Sequence, residues 1–355
     1  MLKDEKLLLE VISFLRFPLI VAVVLLHTQI TTINGVHGDM SSYYPWGGEF
    51  LLYEIIIYLF GQILLRVAVP LFFLFSGFLF FYTENFSMNI FVEKLKRRVV
   101  TLLIPYLIWN FLFVVCYNFG CVLFPKLGSF IGEGYTIKDW LLLFWNFSGN
   151  KPVSWQLWFI RDLIIAIIFS PIIYLLIKKL NFLFPLVLLV LWFMNFGFAI
   201  SAFCFFTLGA YFSITKKNFV RSLEPYKFIL GVLYFIFIVI IFCIKKYDFV
   251  GYLQRLTILL GMSFSVAFCG FYIKKGIWTV NKFLSNSSFF IYLYHVIAIY
   301  ISYPIILYVI AVKTDLGAIF LYFFWAFMIV LLGLFFYFFM NKISPRILKM
   351  ITGRV

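Results

Sequence analysis

Acidic residues are scarce in this chain: only 14 of 355 positions are Asp or Glu, with three His and five Cys. Carboxylates this few, and one weak His37–Asp39 fragment in NGVHGDM, give no reason to expect a metal centre. The cysteines (Cys116, Cys121, Cys204, Cys243, Cys269) mostly fall within apolar runs and show no paired spacing. They read as small hydrophobes rather than a disulfide or metal framework. Charge of either sign is thin, at 12%, against 65% hydrophobic residues that include 50 Phe, 22 Tyr and 9 Trp. A soluble domain of this length cannot cover its surface with so little polarity. What remains is an all-α polytopic membrane bundle, read as one domain over residues 1–355.

The first apolar segment, Leu7–Ile30, is too long for a signal-peptide core, has no small-residue cleavage site and carries an arginine, so it reads as a retained helix. Apolar runs of about 17–25 residues match the hydrocarbon thickness. They predict about ten transmembrane helices, at 8–30, 64–82, 100–123, 156–177, 182–200, 201–214, 228–244, 255–273, 288–312 and 317–340. The fifth and sixth, interrupted by Asn195, Gly197 and Ser201, read either as two crossings or as a re-entrant hairpin. With the N-terminus inside, cytoplasmic segments hold 19 of the 29 basic residues and outer loops hold seven. That bias follows the positive-inside rule and puts both termini in the cytoplasm. It also accounts for the net charge of +15 without any nucleic-acid partner. Two outer segments, Phe50–Gln62 and Ile137–Phe147, read as interfacial helices, the first with Glu49 and Glu54 on its polar side.

Within the first segment, Arg16 and His27 stand eleven positions apart. Eleven steps of 100° make three turns plus about 20°, so the two side chains share one helix face, roughly 16 Å apart along the axis. An arginine inside a spanning helix costs on the order of 3 kcal/mol and needs a partner, whether a structural anion or a ligand. His27, near the outer end, reads either as a boundary histidine bonded to a loop or as a base facing a water-exposed acceptor.

Four further stretches carry polar groups into the membrane. In RVAVPLFFLFSGFLFFY, from Arg66 to Tyr82, Ser76-Gly77 fits close helix packing and Pro70 a local break that lines a cavity. KLKRRVVTLLIPYLIWN, Lys94–Asn110, sets Arg97 and Arg98 where the third span begins. The pair is either a topology signal or a clamp for phosphate, which arginine grips bidentately. SWQLWFIRDLI, Ser154–Ile164, holds Trp158 and the adjacent Arg161 and Asp162 at a depth similar to that of His27. Asp162 either orients the histidine, as the acid of a triad does, or pairs with Arg161. SNSSFFIYLYHV, Ser285–Val296, puts His295 about two turns into the ninth span, near the depth of Arg16.

Taken in order, LRFPLIVAVVLLHT, VPLFFLFSGFLF, KRRVVTLLIPYLIWN, LWFIRDLI and SNSSFFIYLYHV resemble the integral-membrane acyltransferases of the acyltransferase-3 type, which modify bacterial surface polysaccharides. The likeness runs over nearly the whole chain, and its subtype looks like the stand-alone surface polysaccharide O-acetyltransferases. The resemblance implies acyl transfer, acetyl above all, from acetyl-CoA or another acyl-CoA to a hydroxyl of a cell-surface or lipid-linked glycan. It also implies His27 as general base or acyl carrier. On this reading Asp162 joins His27 in catalysis, while Arg16, Arg97, Arg98, His295 and Ser76 contact the donor. Arg161, Trp158 and Arg66 contact the acceptor, and no cofactor is permanently bound. One departure stands out: many relatives carry two arginines three apart at the start of the third helix, whereas here Arg98 is followed by Thr101.

The residues give that chemistry a geometric reason. Coenzyme A is a polyanionic head on a long thin arm, and roughly 16 Å between Arg16 and His27 is of the order of that arm. The expected partners are acyl-CoA, the glycan or lipid-linked saccharide acceptor, membrane lipid and, where it forms a homo-oligomer, a second copy of the chain. The expected location is the bacterial plasma (inner) membrane, as a multi-pass protein. A flippase or exporter of a lipid-linked glycan is the rival reading, although the inverted repeats typical of alternating access are not apparent. A membrane sensor with titrating histidines is a third.

Overall fold

The computed structural model describes residues 3–29, 32–33, 36–37, 50–82, 86–123, 130–145, 151–196, 199–244, 249–308, 310 and 312–354. Asp39, Glu49 and Gly197, singled out above, lie outside them. The described chain is helical apart from one short antiparallel pairing of Thr32–Ile33 with Val36–His37. In chain order the helices are α1 (Lys3–His27), α2 (Leu51–Tyr58), α3 (Ala68–Phe81), α4 (Met88–Arg98) and α5 (Ile104–Leu123). Next come α6 (Ile137–Phe144), α7 (Trp158–Ile168), α8 (Ser170–Leu180), α9 (Leu183–Phe193), α10 (Ile200–Ile214) and α11 (Phe219–Leu223). The last five are α12 (Lys227–Ile244), α13 (Val250–Lys274), α14 (Lys282–Tyr308), α15 (Asp315–Ile343) and α16 (Pro345–Thr352).

Among the described residues, seven helical runs are long and apolar enough to cross a bilayer. An eighth candidate is the pair α7–α8, bent by 61° at Phe169. Their outward surfaces are apolar: Phe228, Phe235 and Phe320 are 74%, 66% and 67% exposed, which suits hydrocarbon and not water. The chain is therefore a multi-pass helical membrane protein. Of the about ten crossings expected, the fifth and sixth, read above as two crossings or a re-entrant hairpin, correspond to short helices. α9 and α10 are 11 and 15 residues long, about 16 and 22 Å, and so fall short of a hydrocarbon core of about 30 Å. Arg255, at the edge of the predicted span 255–273, lies within α13 and donates to the Phe193 carbonyl at the end of α9. It thus satisfies a helix C-terminus with a cation.

Two helices are longer than the hydropathy pattern indicates. Leu51–Phe81 is one run of 31 residues in which α2 passes through π-helical turns (Leu59–Leu64) and a 3₁₀ turn (Leu65–Val67) into α3. The segment Phe50–Gln62 is thus the extension of the second span and not a separate interfacial helix. Glu54 in it is buried rather than on a polar face, and the backbone N–H of Tyr53 donates to Asp315 at 2.9 Å. Likewise Met88–Leu123 runs 36 residues through α4, a π-helical stretch and α5. By contrast, α6 has no buried residue and opens with a Thr136–Asp139 capping box, as a surface-lying helix should.

The helix α1 is central, packing on α3, α13, α14 and α15, and α14 also packs on α5 and α15. The tightest pairing is α3 on α10. A Cβ at Gly77 would come within 2.0 Å of the Phe206 carbonyl, and one at Gly209 within 1.9 Å of the Leu74 carbonyl. Only backbone fits there, as in other small-residue membrane contacts. Gly77 anchors α3 this way, and the neighbouring Ser76 is turned toward the cavity described next.

Candidate active site

Two adjoining cavities open near the basic end of the bundle, where α1 and α14 begin and α4 ends. The first, of about 420 Å³, is lined by Arg16, Ser76, Arg98, Thr101, Tyr292 and Arg354 among others. The second, of about 600 Å³, is lined by Lys6, Glu10, Ser13, Trp278 and Lys282, and shares Arg16, Ser285 and Asn286 with the first. Arg16 thus stands at the junction. Three guanidinium groups face the first cavity, yet no Asp or Glu among the described residues lines it. A set of cations so gathered in a low-dielectric setting calls for an anionic ligand.

The Arg97/Arg98 pair divides. Adjacent helix positions differ by 100°, so Arg98 reaches the cavity, half-buried beneath Phe80 at 6.0 Å, while Arg97 is exposed and lines neither cavity. The structure thus does not bring the expected pair together: of the two, Arg98 lines the cavity and Arg97 does not.

Higher on the same face of α1, the His27 ring meets Trp155 edge-on, with centroids 4.3 Å apart, and stacks on His295 at 5.3 Å with planes 13° apart. His295 is therefore level with His27 and not with Arg16, correcting the expected depth. The reason is where α14 starts. SNSS looked like its polar beginning, but the helix opens at Lys282, and Ser285 and Asn286 already sit beside Arg16. The nine residues from Asn286 to His295 then climb about 13 Å. His295 is fully buried, and its Nδ1 lies 2.6 Å from the Tyr292 carbonyl and 3.2 Å from that of Ile291. Carbonyls only accept, so Nδ1 carries the hydrogen and Nε2 the lone pair. That Nε2 is buried with no hydrogen-bond partner among the described residues.

Asp162 does not orient His27. Its carboxylate accepts from Arg161 Nε at 3.0 Å, both side chains being buried. The buried charges thus pair with one another. Trp158 packs on Phe73 at 6.3 Å, and it is Trp155, one turn earlier, that touches His27. Arg66 is exposed near the far end, bonded to the Gly61 carbonyl and to Gln62. The Trp155–Leu157 turn is held in place by Tyr292, whose hydroxyl donates to the Gln156 carbonyl at 2.6 Å, and by Ser154, whose N–H donates to Asn110. Lys151 lies 5.5 Å over the Trp155 ring.

The first cavity ends at Ile20 and Tyr292, one turn of α14 short of His295. Tyr292 is itself buried and edge-on to Phe159 at 5.8 Å. The first cavity and the imidazole pair are therefore separated by a pinned tyrosine. The sequence reading missed Tyr292, Trp155 and Arg354. The first two sit in quoted motifs but carry no charge to mark them, and Arg354 passes for one more basic residue of the positive-inside pattern.

A bundle of membrane helices with a half-buried arginine and histidine on one face of its first helix belongs to a definite class. Residues 10–340 match the acyltransferase-3 family, described as an acyltransferase domain, and the chain is a member of that family. It is also similar to the succinoglycan biosynthesis protein ExoH of Rhizobium meliloti (strain 1021), with 26% identity over 175 residues. That alignment covers 47% of this chain and 43% of ExoH, so the chain spans less than half the length of this curated relative. No solved structure matches the chain.

Proposed function

We propose that the protein transfers an acyl group, acetyl first of all, from cytoplasmic acyl-CoA to a hydroxyl of a cell-surface or lipid-linked glycan, as a component of cell-envelope O-acetylation. The reading includes a bacterial plasma membrane location, both termini in the cytoplasm, and α9–α10 as a broken fifth and sixth crossing of a ten-crossing fold. One observation carries it: arginines at the basic end around a cavity with no lining carboxylate among the described residues and, farther along the same face of α1, the stacked His27–His295 pair. ExoH, a succinoglycan biosynthesis protein, supports a polysaccharide acceptor.

The donor's phosphates bind at Arg16 and Arg98, with Ser76 and Ser288 along the cavity wall. Its arm runs up α1 past Ile20, over the roughly 16 Å that separates Arg16 from His27. Tyr292 must swing from the Gln156 carbonyl to admit the thioester, which keeps acyl-CoA from water until the site is engaged. His27 then accepts the proton of the sugar hydroxyl as its oxygen attacks the thioester carbonyl. The carbon–sulfur bond breaks, and the imidazolium returns the proton to the leaving thiolate. A variant route passes through acyl-His27, with the same net balance. His295 holds the His27 ring from the side, its own Nδ1–H fixed on the α14 backbone. Arg66, Lys151 and Trp155 border the acceptor side.

Purified detergent-solubilised protein, given labelled acetyl-CoA and lipid-linked oligosaccharide, should release coenzyme A and label the saccharide in equal amounts. An exporter would release none. Trapping label on the protein without acceptor distinguishes the acyl-histidine route from direct transfer.

A further inference from the structure

We infer that Arg354 is a donor-binding residue: the C-terminal helix carries a third guanidinium to the phosphate end of the cavity. The inference rests on the acyl-CoA reading above. The family match ends at residue 340, so this group comes from a part of the chain beyond the shared region.

Backbone contacts, rather than charge, fix where Arg354 stands. α16 is docked by Trp109, whose indole N–H donates to the Ile351 carbonyl at 2.9 Å, and by burial of Leu348 and Ile351. Gly353 ends the helix in the left-handed region at φ +59. It lies so close to α5's approach that a Cβ would come within 2.4 Å of the Thr101 backbone. L-residues with a Cβ avoid both demands, hence glycine. The next residue, Arg354, is thereby delivered to the wall formed by Arg98 and Thr101, one helical turn apart on the α4–α5 run. The Thr101 hydroxyl there is buried and has no partner among the described residues.

The side chain is held, and no carboxylate among the described residues pairs with it. One terminal nitrogen donates to the Tyr337 hydroxyl at 2.6 Å and the other to the Asn286 carbonyl. The guanidinium also lies 5.3 Å over the Tyr337 ring. These bonds use two of its five N–H donors, and both partners are uncharged. Arg16, Arg98 and Arg354 thus converge on about 420 Å³ without a lining carboxylate among the described residues. A planar fork with free donors matches a phosphate oxygen pair. The His27–His295 pair lies at the other end of the path, so the group that Arg354 meets is the phosphorylated head and not the acyl arm.

The test is binding of coenzyme A and of pantetheine, which lacks the nucleotide phosphates, to the purified full-length chain by calorimetry, with thermal unfolding alongside. Arg354→Ala should weaken coenzyme A binding at least tenfold (about 1.4 kcal/mol), leave pantetheine binding unchanged and unfold near the wild-type temperature. Arg354→Gln keeps a donor for the Asn286 carbonyl and removes the charge. It should lose coenzyme A affinity similarly, and serves if the alanine variant does not fold. Wild-type coenzyme A affinity in either variant would overturn the inference. So would an equal loss for coenzyme A and pantetheine accompanied by a lower unfolding temperature, which is what a purely structural tether for α16 predicts. If the wild type itself binds no coenzyme A, it is the donor reading that fails.

Discussion

The division of Arg97 from Arg98 gives a prediction that a topology-signal view of the same residues does not share. Arg98 lines the cavity half-buried, whereas Arg97, turned about 100° from it around the helix, is exposed and lines neither cavity. A hydrogen bond to a charged group contributes about 1.5–3 kcal/mol net, and half-burial favours the lower end of that range. At 1.36 kcal/mol per decade, Arg98→Ala should raise the KM for acyl-CoA by roughly 10- to 30-fold. The kcat should change little, within about threefold, because a phosphate contact far from the thioester binds ground and transition states alike. Arg97→Ala should leave both constants near wild type, as exposed charges usually do. The assay is coenzyme A release followed at varied acetyl-CoA and saturating acceptor in detergent micelles. Equal effects of the two substitutions, or an Arg98 effect confined to kcat, would refute the placement of the phosphates in this cavity.

Loss of a general base costs about a hundred- to ten-thousand-fold, so His27→Ala should lose that much kcat while still binding coenzyme A in calorimetry; near-normal turnover would remove His27 from the chemistry. Tyr292→Ala should open the cavity toward the imidazole pair and raise acceptor-independent hydrolysis of acetyl-CoA above that of the wild type; unchanged hydrolysis would mean that the tyrosine is no barrier. Gly77→Ala forces a Cβ to within 2.0 Å of the Phe206 carbonyl, an overpacking of about 1–3 kcal/mol. Thermal unfolding should shift down by several degrees, whereas Gly251→Ala, where a Cβ meets nothing, should not move it.

Much of this architecture is legible in apolar run length, because lipid makes hydropathy nearly a direct readout of helix position. The Arg16–His27 face was likewise readable, since a continuous α1 preserves helical phase over eleven residues. Where the reading failed, polar residues were taken as boundaries. SNSS hid the first turns of α14 and lowered His295 from the level of His27 to that of Arg16. Glu49 and Glu54 made an extended second span look like a surface helix. The Arg161–Asp162 pairing was one of two readings left open, because rotamers and not spacing decide between them. Arg354 joins Arg98 only through tertiary docking of α16 on α5 and α14, so its role is invisible to local pattern. The sequence reading stopped at Thr101, and the cation beside it comes from the far end of the chain.

The central claim is that an acyl group is passed along α1, from a basic donor cavity to an imidazole pair at the far end of the bundle. Proteoliposomes of purified, uniformly oriented protein, with labelled acetyl-CoA on the Arg98 side and oligosaccharide acceptor on the His27 side, test it most directly. The account predicts labelled acceptor on the His27 side, unlabelled coenzyme A retained on the Arg98 side, and neither with His27→Ala. Label reaching acceptor only when both substrates share one side, or acceptor crossing without label, would contradict it.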